Sequence, residues 1–168
     1  MKEIPLYINM GTLGAWIAKE LAVAFLEPLR VSSKSIASLH SSLTCVKKVG
    51  ALYGLDLQSI SGTALLDSEP ILWYYGFRMI YDGLKRYVTG MGETTDGDVW
   101  KKTQHYLFIR FCMMSCVKHD SDRHEAIPKS FKERCLLPVV SNPDFASVFD
   151  CTKKPAFKTD KCVAEMQS

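Results

Sequence analysis

The chain has no uninterrupted apolar run that approaches the roughly 20 residues of a transmembrane helix, so no membrane span is expected. Its start, Met1-Lys2-Glu3-Ile4-Pro5, does not read as a signal peptide, because the apolar stretch that follows is broken by Asn9, by glycines and by Lys19-Glu20. Long basic runs are missing as well. The 21 basic residues are interspersed with 18 acidic ones for a net charge of +3, which gives nucleic acid no support as a partner. Cysteine is present six times, at 45, 112, 116, 135, 151 and 162, too few and too spread for a zinc ribbon or a disulfide-dense scaffold. Cys112-Met-Met-Ser-Cys116 has three intervening residues on an expected helix, which excludes a redox Cys-x-x-Cys. Internal repeats and low-complexity tracts are also lacking.

What is present is an ordinary globular balance. With 168 residues, 47% apolar and 23% charged, the chain is long enough to bury one core and is read as a single domain over 1–168. Its periodicities are mostly helical. Leu13, Trp16, Ile17, Leu21 and Phe25 recur at helical spacing, with Pro28 expected to end or kink the helix. Ile36, Leu39 and Leu43 mark a second helix over Ser32 to Leu43. A long helix is expected from Asp67 to Val88, capped by Asp67 or Ser68, with Pro70 in its first turn and Leu72, Tyr75, Met79, Ile80, Leu84 and Tyr87 as apolar positions. Residues 89–100, rich in glycine and acidic side chains, form the clearest loop. Thr103 to Val117 reads as a further apolar helix, and the proline- and lysine-rich remainder as loops and short helical turns. Two aromatic or methionine-rich stripes, Trp73 to Phe77 with Met79 and Tyr81, and Phe108, Phe111, Met113 and Met114, read as packed helix faces rather than ligand platforms.

Three ordered blocks carry chemistry. Residues 17–25, Ile-Ala-Lys-Glu-Leu-Ala-Val-Ala-Phe, keep the frame of a zinc-protease helix without its histidines. In His-Glu-x-x-His the two imidazoles share one helix face and bind zinc, while the Glu activates the bound water. Ahead of that frame stands Ile8-Asn9-Met10-Gly11-Thr12-Leu13-Gly14. A second block is Ser61-Gly62-Thr63-Ala64-Leu65-Leu66-Asp67. The third comprises Arg134, Pro138, Pro143-Asp144-Phe145, Phe149, Cys151 and Lys161-Cys162. Together these blocks resemble the C-terminal part of the catalytic region of the neprilysin and endothelin-converting-enzyme family of zinc metalloendopeptidases. The resemblance covers residues 4–162 and omits the family's longer N-terminal portion. The chain therefore reads as a truncated product, an incomplete gene model or a piece of something longer.

The resemblance implies a mainly α fold, the helical C-terminal part of a zincin-like catalytic domain. It puts Glu20 in the place of the general base, Asp67 in that of the aspartate orienting a zinc-bound histidine, His124 in that of the oxyanion-stabilising histidine and Arg134 in that of the arginine gripping the substrate carbonyl or carboxylate. The interval from His124 to Arg134 is longer than the family leaves. All three ligand positions are substituted, by Lys19, Val23 and Thr63. Catalytic zinc needs three protein ligands and a water, so the expectation is a site without zinc or another cofactor. Such a pseudo-peptidase would bind or sequester peptides without cutting them. The alternatives are an active zinc metalloendopeptidase with substitute ligands Glu20, Asp67 and His124, and a fragment with no function of its own. His40, His105 and His119 match no ligand position.

The family works outside the cell or on its outer face, so the resemblance implies an extracellular or cell-surface setting. It also implies a disulfide between Cys45 and Cys162, and gives Cys116 and Cys151 partners in the omitted portion; Cys112 and Cys135 are additions to the pattern. Cysteines reduced in the core, or orphans and additions pairing among themselves, are the other readings. Surfaces facing the omitted portion would stand exposed and favour a partner chain.

Overall fold

The computed structural model describes residues 6–31, 33–60, 63–116 and 129–151. Among these the regular structure is helical and no strand occurs, in line with a mainly α fold. The elements are α1 (Leu6–Gly11), α2 (Leu13–Val31), α3 (Ser33–Leu52), α4 (Thr63–Leu66), α5 (Glu69–Gly90), α6 (Asp98–Met113) and α7 (Lys129–Phe131). A π-helical turn over Lys132–Leu136, α8 (Leu137–Val140) and α9 (Phe145–Val148) follow.

α5 is the axis of the molecule. Every residue from Pro70 to Phe77 is buried, as expected of a helix apolar on all sides. Ile71, Leu72, Tyr74 and Tyr75 enter one core with Leu26, Val46, Leu66 and Leu137. Trp73, Phe77, Ile80, Tyr81 and Leu84 enter a second with Trp100, Leu107, Phe108 and Phe111. Each large side chain so buried contributes on the order of 1.5–3 kcal/mol of transfer free energy. The aromatic run is therefore core, and Phe108 and Phe111 lie in it too, whereas Met113 is exposed and Met114 packs at the edge. Tyr87, placed with the apolar positions, is half exposed.

The ends of α5 follow local rules. Pro70 occupies the first turn, but Ser68 caps through its backbone geometry alone, since its hydroxyl donates to the Leu65 carbonyl at 2.7 Å. At the other end Gly92 adopts φ +85°, its N–H donates to Thr89 and the N–H of Glu93 donates to Val88. This is a Schellman closure, and it needs a residue that tolerates the left-handed region.

α2 departs from its sequence pattern. The stripe Leu13, Trp16, Ile17, Leu21 and Phe25 faces outward, with exposures of 69, 46, 53, 56 and 52%. The buried stripe is Ala15, Ala18, Ala22 and Leu26. Small residues at this spacing let the α2 backbone close on α5, the most extensive helix pairing in the fold. Gly76 completes the approach: a Cβ there would lie 2.9 Å from the Lys19 nitrogen and 3.0 Å from its Cα. Pro28 does not stop α2, which runs on to Val31. Pro28 and Ala24 are both exposed, so the helical hydrogen bond that proline removes lies on the outer side of α2.

Two other boundaries move. α3 extends to Leu52 because Val46 and Val49 continue its buried face beyond Leu43. α6 starts at Asp98, before Thr103, and so brings Trp100 into the second core. A disulfide between Cys112 and Cys135 ties the end of α6 to the π-helical turn, so the two additions to the family pattern pair with each other. Closing a loop of this length is worth about 3 kcal/mol by chain entropy. Cys45 is buried, and Cys162, its implied partner, lies outside the described residues. Cys116 and Cys151 carry free thiols.

The seam makes opposite predictions for two glycines of one helix. Gly76→Ala drives a Cβ into the Lys19 backbone and is expected to destabilise the chain by about 1–3 kcal/mol. Gly83→Ala meets nothing within 4 Å and is expected to stabilise it by up to about 1 kcal/mol. Urea unfolding midpoints of the two variants check both signs.

Candidate functional site

The middle of α2 carries Lys19 and Val23, which the resemblance sets at ligand positions, and between them Glu20. Lys19 is mostly buried and its Nζ lies 3.1 Å from Oε1 of Glu20, whose side chain is 67% exposed. Val23 packs against the first core. α4, which begins at Thr63, packs on both α2 and α5 and so stands beside α2. Asp67 is exposed in the turn between α4 and α5. His124 lies outside the described residues.

Arg134 sits in the π-helical turn, and its Nη2 is 3.7 Å from Oε1 of Glu69 in the first turn of α5. Glu69 thus stands between the positive end of the α5 dipole and a guanidinium. No hydrogen bond or ion pair joins Arg134 to Glu20. The fold therefore groups the α2 and α4 blocks, while Arg134 is engaged with the start of α5.

These side chains do not fit a zinc ion. An ammonium occupies one ligand position and is paired to the carboxylate that would activate water; a core-packed valine occupies another. Among the described residues no three His, Cys, Asp or Glu side chains converge as a metal site. What the outer face of α2 offers is apolar contact. A shallow depression of about 380 Å³ is lined by Trp16, Ile17, Glu20 and Leu21. Trp16 is fixed from behind by an edge contact with Trp73, ring centroids 5.0 Å apart.

A polar centre that sequence reasoning did not identify lies on the opposite side of α5. The Tyr81 hydroxyl donates to Oδ2 of Asp144, and Nε2 of Gln104 donates both to Tyr81 and, at 3.1 Å, to Asp144. The Asp144 N–H is itself held by Oδ1 of Asn142 at 2.9 Å. The Pro143-Asp144-Phe145 segment was legible as a tail motif; that its aspartate accepts from a buried tyrosine was not, because the partners are far away in sequence. Burial, and then the Asp144 contact, push the Tyr81 phenol well above its ordinary range. Burial and then the neighbouring Tyr74 raise the Tyr75 phenol to about 12. His105 is exposed on α6 and rests edge-on against Phe149, centroids 4.8 Å apart.

No protein-family model, curated protein or solved structure matches this chain.

The raised phenols give an alkaline signature. A folded-state value above the unfolded value of about 10 means that the stabilising contribution is complete below pH 10 and is lost as pH climbs through about 12. Stability is expected to fall over that window. The Tyr75 hydroxyl has no hydrogen-bond partner among the described residues, so Tyr75→Phe is expected to be neutral or stabilising by up to about 1 kcal/mol at pH 7. The same variant should flatten the alkaline loss in denaturant titrations run at several pH values.

Proposed function

We propose that the chain is a catalytically inactive, zincin-like C-terminal domain of the neprilysin type that captures peptides on the outer face of α2. The observation that carries this reading is the outward stripe Leu13, Trp16, Ile17, Leu21 and Phe25, which surrounds Glu20. From residue 13 to residue 25 such a stripe runs about 18 Å along the helix at 1.5 Å per residue. That length suits a short peptide laying alternate apolar side chains against Trp16 and Leu21. Glu20 and Lys19, paired at 3.1 Å, supply an acceptor and donors for its polar groups.

Hydrolysis has no support from the same residues. A general base needs a polarised water within hydrogen-bond reach, and the Glu20 carboxylate is engaged with an ammonium instead. The role is therefore sequestration, with extracellular peptides as cargo and an oxidising compartment suited to the Cys112–Cys135 disulfide. The exposed apolar stripe also favours a second reading, a docking face for a partner chain. Mass measurement of the purified chain in solution separates the two, since self-docking or co-purification of a stoichiometric partner would cover the stripe before any peptide is added.

Titration of apolar peptides of about ten residues against the chain, read by calorimetry and by Trp fluorescence, is expected to show saturable binding that Leu21→Asp weakens at least tenfold. Mass spectrometry should recover the peptide uncut with or without added zinc. Absence of saturable binding, or chelator-sensitive cleavage, would contradict the reading.

A further inference from the structure

The corner that the Cys112–Cys135 bond fastens contains a third cysteine. Cys116 follows Cys112 by one helical turn, is exposed and carries a free thiol. Its Sγ turns back toward the bridge and donates to the Cys112 carbonyl, 3.8 Å away. Residues four apart on a helix hold their Cβ atoms about 5–6 Å apart, and a disulfide needs about 3.5–4.5 Å. The difference falls on a segment able to close it, because α6 ends at Met113 and the chain runs on to Cys116 in tighter turns. There the Ser115 N–H donates to Cys112 at 2.9 Å and the Cys116 N–H donates to Met113 at 3.2 Å.

The two bridged sulfurs are not equivalent targets. Cys135 is 3% exposed, whereas Cys112 is only partly buried, at the edge of the second core. A thiolate attacks a disulfide at one sulfur and releases the other, so access selects Cys112. The other described thiols are worse placed. Cys45 is 2% exposed in α3, and the Cys151 thiol is directed at the Phe149 carbonyl, 3.6 Å away.

We propose that Cys116 is the resolving thiol of an internal disulfide switch that unfastens α6 from the turn carrying Arg134. The Cys116 thiol gives its proton to solvent, and the thiolate bonds to Cys112 Sγ as the Cys112–Cys135 bond breaks. The electron pair of the broken bond leaves on Cys135, which takes a proton from solvent and becomes a buried thiol. One disulfide and one thiol are present before and after, so no oxidant or reductant is consumed. In the first isomer the π-helical turn is tied to α6; in the second it is held by packing and by the Arg134–Glu69 contact. The switch uses no residue of α2 and does not rest on the peptide reading.

The test uses the full chain, shifted from pH 5 to pH 8 without added thiol and quenched in acid at intervals. It is then denatured in N-ethylmaleimide at pH 6 and digested with trypsin. Cleavage after Arg110 and Lys118 leaves Cys112 and Cys116 on one peptide, so the second isomer is read as that peptide two hydrogens lighter than its dithiol form. It is expected to accumulate over minutes to hours, in step with N-ethylmaleimide addition to Cys135, and faster at pH 8 than at pH 7 because the thiolate is the attacking form. Cys116→Ser is expected to lower Cys135 labelling at least tenfold, and Cys151→Ser to leave it unchanged. Absence of the internally bridged peptide at every time point would overturn the proposal. Cys135 labelling that persists in Cys116→Ser would overturn it too, because something other than Cys116 then opens the bridge.

Discussion

The contact between Gly76 on α5 and the backbone of Lys19 on α2 sets the rest of the structure. A missing Cβ at one position and alanines at 15, 18 and 22 let the two helix backbones meet with no side chain between them. Close packing of this kind is intolerant of volume, because protein interiors already sit near crystal density. Once α2 lies on α5 along its alanine stripe, its larger side chains can only point outward. The same contact fixes Lys19 beside Glu20, sends Val23 into the first core and leaves Trp16, Ile17 and Leu21 on the surface. The outward apolar surface of α2 is thus one result of this packing choice.

α5 transmits that choice to the other side of the molecule. It is buried all round from Pro70 to Phe77, and its next turn presents Tyr81 to Gln104 of α6 and Asp144 of the tail. Three polar groups far apart in sequence satisfy one another in a setting where unpaired groups would be expensive. The Cys112–Cys135 bond fastens α6 to the π-helical turn ahead of α8 and so holds the same corner covalently.

Much of the fold was legible because helical periodicity and proline placement are local signals. The span of α5, its Pro70 start and the glycine-rich loop after it follow from the residues themselves. The orientation of α2 was not. Five large apolar residues at helical spacing signal a helix without saying which face packs, and only Gly76, a residue 50 or more positions further on, reveals that alanines face in. Pro28, which can end a helix or kink it, does not end this one, which runs on to Val31. At the candidate site, the substituted positions 19, 23 and 63 were visible as residue types, and their surroundings were not: the Lys19 pairing and the Val23 packing are tertiary facts. The pairing of Cys112 with Cys135 depends on elements brought together only by folding.

Everything argued about binding on α2 rests on which of its faces is turned to solvent. Hydroxyl-radical footprinting of the dilute chain, read residue by residue by mass spectrometry, measures that directly. Trp16, Leu21 and Phe25 should oxidise at rates near those of the unfolded chain, while Trp73, Trp100 and Phe108 are protected. Protection of Trp16 and Phe25 to the level of Trp73 in a monomeric sample would show the apolar stripe facing inward and would contradict the account.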